Sequence, residues 1–396
     1  MSMTAVETTR PQVEIAPRKR KSMVPELLTV AVLALVFIFL APTILNLMGQ
    51  GSRVNQLGRF VALAIAALGI DLIWGYTGML SLGHGIFFAL GGYALAMHLL
   101  LQLPAGQIPD FFSLYGVTDL PLFWKPFYSL PFTVAAIVVI PTLVAAVLGY
   151  LVFRNRIRGV YFSILTQAAL IVFFNFFNGQ QKLINGTNGL KTDTAQFFGS
   201  LVSEPRNQTV FFVLSVLFLA GGYALCRWLT SGRLGRLLVA IRDDEPRVRF
   251  SGYDPTWYKV FVFAVSAGLA GISGALYTVQ SGIITPKAMD IAFSIEMVIW
   301  VAVGGRATLV GAALGALIVN FAKTLLSEQY PEFWLFFQGA LFLLVVTVLP
   351  SGFLGLFSHE NVLWLRSRLG FTPKLSTYPS LEIDPEVQHE RKNLRD

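Results

Sequence analysis

Apolar residues in this chain come in long, nearly unbroken runs, and that patterning narrows the choice of fold more than any other feature. Val30 to Leu40 is almost wholly apolar, and similar blocks recur along the sequence. A helix needs about 20 such residues to cross roughly 30 Å of hydrocarbon. The chain is therefore expected to be all-α, a polytopic helical membrane protein. Composition agrees, with 55% of residues hydrophobic and 13% charged, where ordinary soluble proteins carry about 25% charged residues.

Coarse boundaries give ten candidate spans: 24–46, 57–74, 79–103, 130–153, 160–178, 209–230, 259–283, 291–303, 309–326 and 333–349. Two of them, 57–74 and 291–303, are short. Residues 1–23 read as a cytoplasmic leader ending in Arg18-Lys-Arg-Lys21. The run that follows is too long for a signal-peptide core and is expected to be a retained first helix. Residues 24–355 form one membrane domain that includes a cytoplasmic loop at 231–258, and 356–396 are a polar cytoplasmic tail. Starting from a cytoplasmic N-terminus, parity puts Arg154-Asn-Arg-Ile-Arg158, the 231–258 loop and the tail on one side. All three are rich in Arg or Lys, as cytoplasmic loops are. The opposite loops, 104–129, 179–208 and 327–332, carry fewer basic residues, and both termini are expected inside.

The net charge of +8 belongs to these flanks, and no nucleic-acid recognition module accompanies it. Cys226 is the only cysteine, which excludes an intramolecular disulfide and argues against a thiolate metal site. No Gly-Lys dipeptide occurs, so the phosphate-binding loop of an ATPase is missing. His84, His98, His359 and His389 lack metal-ligand spacing, and neither a zinc-protease helix nor a G-x-S-x-G elbow is present. No catalytic residue, metal ligand or cofactor is expected in this chain.

Glycines cluster where helices pack or break. Gly75, Gly78, Gly83, Gly85, Gly91 and Gly92 surround the second and third spans, and Gly304, Gly305, Gly311 and Gly315 follow the eighth. Small residues permit close helix packing, and short spans beside glycine clusters in both halves can mark a binding pathway between inverted repeats.

Polar residues within or beside the spans supply the candidates for a solute path. An intramembrane carboxylate is costly and normally faces a cavity or a partner. Asp71 therefore either lines the path or caps a helix near the cytoplasmic side, and Glu296 poses the same choice. His84 is either a path residue or a packed, hydrogen-bonded histidine. Asn320 and Lys323 share a helix face, although Lys323 could also snorkel outward. In the loop Asn185-Gly-Thr-Asn-Gly-Leu190, the side chains of Asn185, Thr187 and Asn188 offer uncharged donors and acceptors that suit a neutral polar solute, or else simply build a turn.

Between two apolar spans lies Arg233-Leu-Gly-Arg-Leu-Leu-Val-Ala-Ile-Arg-Asp-Asp-Glu-Pro-Arg-Val-Arg-Phe-Ser-Gly252. Its composition suggests a short helix that docks on a soluble partner. Asp243, Asp244, Glu245, Pro246 and Arg247 are the expected contact residues. Proline suits the first turn of a helix, and acidic groups favour its positive end.

With these residues in view, the chain resembles the permease subunits of ATP-binding cassette importers of the branched-chain amino acid type. The resemblance rests on Gly75-Tyr-Thr-Gly-Met-Leu-Ser-Leu-Gly-His-Gly85 with Phe88 and Gly91, Asn185-Gly-Thr-Asn-Gly-Leu190, the 231–258 loop, Val303-Gly-Gly305 and Gly311 to Gly315. Together these cover most of residues 60–355. Within that family it looks most like the urea permease subunit, on Ile70-Asp-Leu-Ile-Trp-Gly-Tyr-Thr-Gly78 and Ile241-Arg-Asp-Asp-Glu-Pro-Arg-Val-Arg-Phe-Ser-Gly-Tyr-Asp-Pro255. Asp71 stands where amino-acid permeases of the family commonly carry asparagine. The resemblance implies a second homologous permease subunit, two ATP-binding subunits that hold ATP and Mg, a periplasmic solute-binding protein, and a bacterial inner membrane. It further implies that solute passes between the two permeases and that the 231–258 loop holds the helix resting on an ATP-binding subunit. Urea is the first expected solute. A branched-chain amino acid or short amide is the alternative, and a self-sufficient secondary transporter or channel is the competing class.

Overall fold

The computed structural model describes residues 24–51, 53–103, 107–330, 334–348 and 352. The expected leader, with Arg18 to Lys21, and the expected tail, with His359 and His389, lie outside the described residues. The described chain is a bundle of α-helices: α1 (Val24–Leu47), α2 (Arg53–Thr77), α3 (His84–Leu100), the single turn α4 (Asp110–Leu114), α5 (Leu130–Arg154), α6 (Val160–Gly179), the single turn α7 (Gln181–Ile184), α8 (Pro205–Ser231), α9 (Arg233–Phe250), α10 (Pro255–Ser281), α11 (Ile291–Gly304), α12 (Leu309–Gln329) and α13 (Trp334–Val348). Among the described residues, strand structure is limited to two-residue pieces: β1 (Leu190–Lys191), β2 (Gln196–Phe197), β3 (Ser200–Leu201) and β4 (Ile283–Ile284). β1 pairs antiparallel with β4, Leu190 opposite Ile284, and this joins two distant loops at one end of the bundle.

Seven helices, α1, α2, α5, α6, α8, α10 and α12, are long and apolar enough to cross a membrane, while α3 and α11 are shorter apolar helices. The polytopic helical fold is as expected, but two span boundaries change. The span expected at 57–74 is not short, because α2 runs for 25 residues. Its first turns carry Asn55, Gln56 and Arg59, whose polarity masks the helix start. The span expected at 79–103 begins as a helix only at His84. Gly78 ends α2 with a left-handed φ of +72°, a conformation open to glycine at little cost.

Non-helical backbone at such a place needs partners other than water. The α6 side chains provide them: Leu82 N donates to Thr166 Oγ1 at 3.1 Å, and Ser163 Oγ donates to the Leu80 carbonyl at 2.6 Å. At the free N-terminus of α3, Gly85 N donates to Ser294 Oγ of α11 at 3.2 Å.

α2 and α10 form the centre. α2 is buried almost throughout, and α10 packs on α2, α3, α5 and α8. Helices apolar on every side belong in such a position. Sequence sets the ends of α10 as well. Asp254 accepts the Thr256 N–H at 3.0 Å with Pro255 in the first turn, and Gly282 closes the helix at φ +77°. In contrast, α1 has no buried residue, and Leu28, Leu33 and Phe39 are left exposed. Its polar tie to the bundle is Glu26, which accepts from Tyr223 at 2.6 Å and from Arg227 at 2.8 and 3.0 Å on α8.

Candidate functional site

The charged segment folds as α9, and the helix breaks inside it. Asp244 sits at φ −153°, ψ 86°, so α9 is two helical arms meeting at this residue. Asp244 Oδ1 accepts the N–H of Arg247 at 3.1 Å, which makes it the N-cap of the second arm. Pro246 follows in the first turn, where its missing N–H would have no helical partner. The break opens a hollow of about 320 Å³ lined by Asp243, Asp244, Arg247, Val248 and Tyr253 among others. Arg247 is 83% exposed, and Phe250 at the end of α9 is 91% exposed. An apolar ring presented beside a charged hollow suits docking on another protein.

Glu245 points the other way. Its side chain is 6% exposed and is held by Lys259 of α10, by Arg249 Nη2 at 2.9 Å and by Arg158 Nε at 3.6 Å. It fastens the second arm to the bundle and does not face the hollow. Arg242, on the first arm, reaches into the bundle, where its Nη1 donates to the Gly75 carbonyl at 2.9 Å while its Nε pairs with Asp243 at 3.0 Å. The last carbonyls of a helix lack intrahelical donors, so a guanidinium there both completes α2 and ties it to α9.

Asp71 lies one turn above this contact and is wholly buried. Its Oδ1 accepts the Ala307 N–H at 2.7 Å. Ala307 sits in the turn between α11 and α12 at φ +58°, which costs an L-residue roughly 1–2 kcal/mol. Around the same turn, the Tyr76 hydroxyl donates to the Ala307 carbonyl at 3.3 Å, and Arg306 stacks over Trp74 at 5.0 Å. Asp71 therefore fixes the α11–α12 turn to α2, and a path role would require a conformation in which this turn leaves it. Asp71→Leu, which removes both oxygens, is expected to lower the stability of the assembled protein by about 1–3 kcal/mol relative to Asp71→Asn, which keeps one acceptor. Thermal denaturation of the purified variants measures this, and equal melting temperatures would remove Asp71 from the anchoring role.

His84 is an interior residue. Ser266 Oγ donates to the Gly69 carbonyl at 2.6 Å, so His84 Nε2, 2.7 Å from that oxygen, is the donor to it. The ring packs edge-on against Phe87 and Phe263. Thus His84 joins α3 to α10 through Ser266, whose own hydroxyl joins α10 to α2.

The remaining path candidates lie at the other end of the bundle. Asn185 has φ +59° and donates from Nδ2 to the Gly189 carbonyl at 2.8 Å, and it lines a cavity of about 420 Å³ with Gln102, Asp110, Lys191, Thr194 and Gln196. Thr187 Oγ1 accepts from Gln181 at 3.3 Å, and Asn188 N donates to the Asn185 carbonyl at 3.0 Å. These two residues build the turn that carries Asn185. Glu296 is 6% exposed and receives Lys323 Nζ at 2.7 and 2.9 Å. Lys323 does not snorkel; it neutralises Glu296. Neither the Arg242 clamp nor Phe250 stood out in the sequence, because nothing in a run of charges says which member turns inward. Gln56 and Arg59 also escaped notice, although polar residues three apart at the head of an apolar span were a usable signal.

The segment that breaks at Asp244 and the glycine-lined bundle fall within residues 52–346, which match the family described as branched-chain amino acid transport system, permease component. The chain belongs to that permease family. The permease is 24% identical over 313 residues to the LivM high-affinity branched-chain amino acid transport permease of Salmonella typhimurium, covering 73% of this chain and 67% of that one. It is 25% identical over 318 residues to LivH of the same organism, covering 76% and 93%. The ribose import permease RbsC of Haemophilus influenzae is 23% identical over 291 residues, covering 70% and 82%. No solved structure matches the chain. These relatives are transport permeases, and the chain is a permease component, not an enzyme.

Proposed function

We propose that this permease is one half of the membrane channel of an ATP-binding cassette importer in a bacterial inner membrane, and that its solute is urea. On this reading α9 lies on the cytoplasmic side, with both termini, and rests on an ATP-binding subunit. A second homologous permease completes the channel, and a periplasmic solute-binding protein delivers solute to the opposite face. The observation that carries the solute assignment is the lining of the cavities at that face. Gln102, Asp110, Asn185, Lys191, Thr194 and Gln196 supply the polar part of one lining, beside several leucines and Phe111. Gln56, Arg59, Asn320, Lys323, Thr324, Ser327 and Glu328 supply that of another cavity of about 370 Å³, beside Phe60, Leu63 and Tyr277. An aliphatic side chain passing such walls would strip water from polar groups without replacing its hydrogen bonds, at about 1–3 kcal/mol for each group left unpaired. Urea replaces them with its own carbonyl and N–H groups.

The second reading is import of a branched-chain amino acid, favoured by the similarity to LivM and LivH, which are branched-chain amino acid transport permeases, and by Leu99, Leu100 and Phe111 on the first cavity's wall. Reconstitution with both ATP-binding subunits, the second permease and the binding protein separates the two. ATP-dependent uptake of labelled urea without leucine is expected, and leucine uptake without urea would transfer the assignment.

Coupling gives a further expected result. Asp244 forms the break in α9 and Asp243 precedes it, and their reversal to lysine should uncouple ATP hydrolysis from uptake while the complex still inserts and assembles. Normal solute-stimulated hydrolysis and transport in that variant would place the docking surface elsewhere.

A further inference from the structure

The cavity between α2, α10 and α12 holds a charged group with no partner. Arg59 makes no hydrogen bond or ion pair among the described residues, and its Nε is sealed from solvent without an acceptor. A guanidinium presents planar N–H donors and has no acceptor of its own. Leaving one unmatched at a partly buried site is costly, and Arg59 faces a cavity of about 370 Å³.

The opposite wall is a single stripe of α12: Asn320, Lys323, Thr324, Ser327 and Glu328. Its hydrogen atoms are largely engaged elsewhere. Asn320 Nδ2 donates to the Ala316 carbonyl at 2.8 Å, Thr324 Oγ1 to the Asn320 carbonyl at 3.1 Å, and Ser327 Oγ to the Lys323 carbonyl. Lys323 is neutralised by Glu296 at 2.7 Å. What this wall offers inward is oxygen: the Asn320 amide oxygen, two hydroxyl lone pairs and, at the exposed rim, the Glu328 carboxylate.

We infer that this cavity is a solute-binding station for a small neutral molecule with a carbonyl oxygen flanked by N–H groups, the ureido and primary-amide class. The carbonyl meets Arg59 while the N–H groups meet the acceptor stripe of α12. Glu296, beside the cavity, already has its counter-ion in Lys323, so among the described residues the interior of the cavity holds no unpaired carboxylate for the ammonium of an amino acid, and Glu328 stands only at its exposed rim. The inference rests on the urea reading above and adds the residues that recognise the solute.

The test uses the full reconstituted complex. In Arg59→Gln the charge and the fork are lost, and urea uptake per assembled complex at saturating loaded binding protein should fall at least about tenfold, the size expected for a hydrogen bond to an ionised group. Arg59→Lys, which keeps charge without the fork, should fall between the two. In a Cys226→Ala background, Ser327→Cys should react with a membrane-impermeant thiosulfonate added from outside. Urea and acetamide should slow that reaction, and leucine should not. Unchanged uptake in Arg59→Gln, or no labelling at residue 327, overturns the site. A wild-type complex that carries leucine and not urea overturns the solute reading, and protection of the introduced thiol by leucine in that case would refute the neutral-amide class while leaving the cavity open to solute.

Discussion

A single methyl group added at Gly274 is expected to cost this protein its folded bundle, whereas the same addition at Gly221 costs nothing. At Gly274, on α10, a Cβ would stand 1.8 Å from the Phe88 carbonyl oxygen and 2.6 Å from its carbon. These are backbone atoms of α3, and no side chain can swing away to relieve the overlap. Gly91 on α3 meets the Gly271 carbonyl in the same way, at 2.0 Å, so the two helices touch backbone to backbone along this seam. Overpacking a core typically costs about 1–3 kcal/mol, and more where the structure cannot relax. Here relaxation would have to move α10 away from α2, α5 and α8 as well. At Gly221, on α8, nothing lies within 4 Å of the added carbon, and alanine should gain about 0.5–1 kcal/mol from its helix preference. Yield of monodisperse protein and melting temperature of the two variants test the contrast. A Gly274→Ala protein as stable as wild type would mean that α3 and α10 do not meet as closely as described.

The second large effect concerns Glu245. Glu245→Ala leaves Lys259, 5% exposed, as a buried cation without its counter-ion, and breaking such a pair from one side costs about 3–5 kcal/mol. Replacing both residues, Glu245→Leu with Lys259→Met, should recover most of that loss, because well-packed apolar groups often match a buried pair in stability. Failure of the double variant to recover would show that Arg158 and Arg249 depend on Glu245 more than Lys259 does.

Titration adds a separate check. Burial raises the Glu245 pKa, but Lys259, Arg249 and Arg158 outweigh it, and the carboxyl is held below the ordinary glutamate range. A carboxylate depressed in the folded state contributes stability above its unfolded pKa and loses it as pH falls through the folded one. The melting-temperature gap between wild type and Glu245→Gln should therefore narrow as pH drops from about 7 to below the usual carboxylate range of about 4.3. A gap that does not change with pH would assign the variant's defect to shape alone.

Most of the fold could be read in the sequence because lipid demands long apolar runs, and such runs are visible without a structure. What escaped was the head of α2, where Asn55, Gln56 and Arg59 suppress the hydropathy signal of a helix that tertiary packing nonetheless extends. The break between α2 and α3 was signalled by glycines, but its hydrogen-bond partners Ser163 and Thr166 come from a helix some 80 residues away in sequence, a pairing no local pattern encodes. The segment that forms α9 was legible as a charged run, whereas the inward turn of Glu245 was not. Asp243, Asp244 and Glu245 are chemically alike and adjacent, and which of them faces the bundle depends on the helical phase after the kink at Asp244. Asp71 and His84 stand out as polar residues in apolar surroundings, yet burial of a polar group is equally the signature of an internal tie, and each of them makes one such contact.

The unbroken course of α2 has a mechanical consequence. Arg242 grips its last turn at Gly75, and Arg59 looks into the α12 cavity from the other end. Sixteen residues separate them, roughly 24 Å of helix at 1.5 Å per residue. No proline interrupts that stretch, and its backbone hydrogen bonds do not stretch appreciably. On the coupling proposed for α9, a tilt imposed on it would reappear at Arg59 as movement of its guanidinium relative to the α12 oxygens. Grip and release of solute at one membrane face would be worked, like the far end of a stiff rod, from the other.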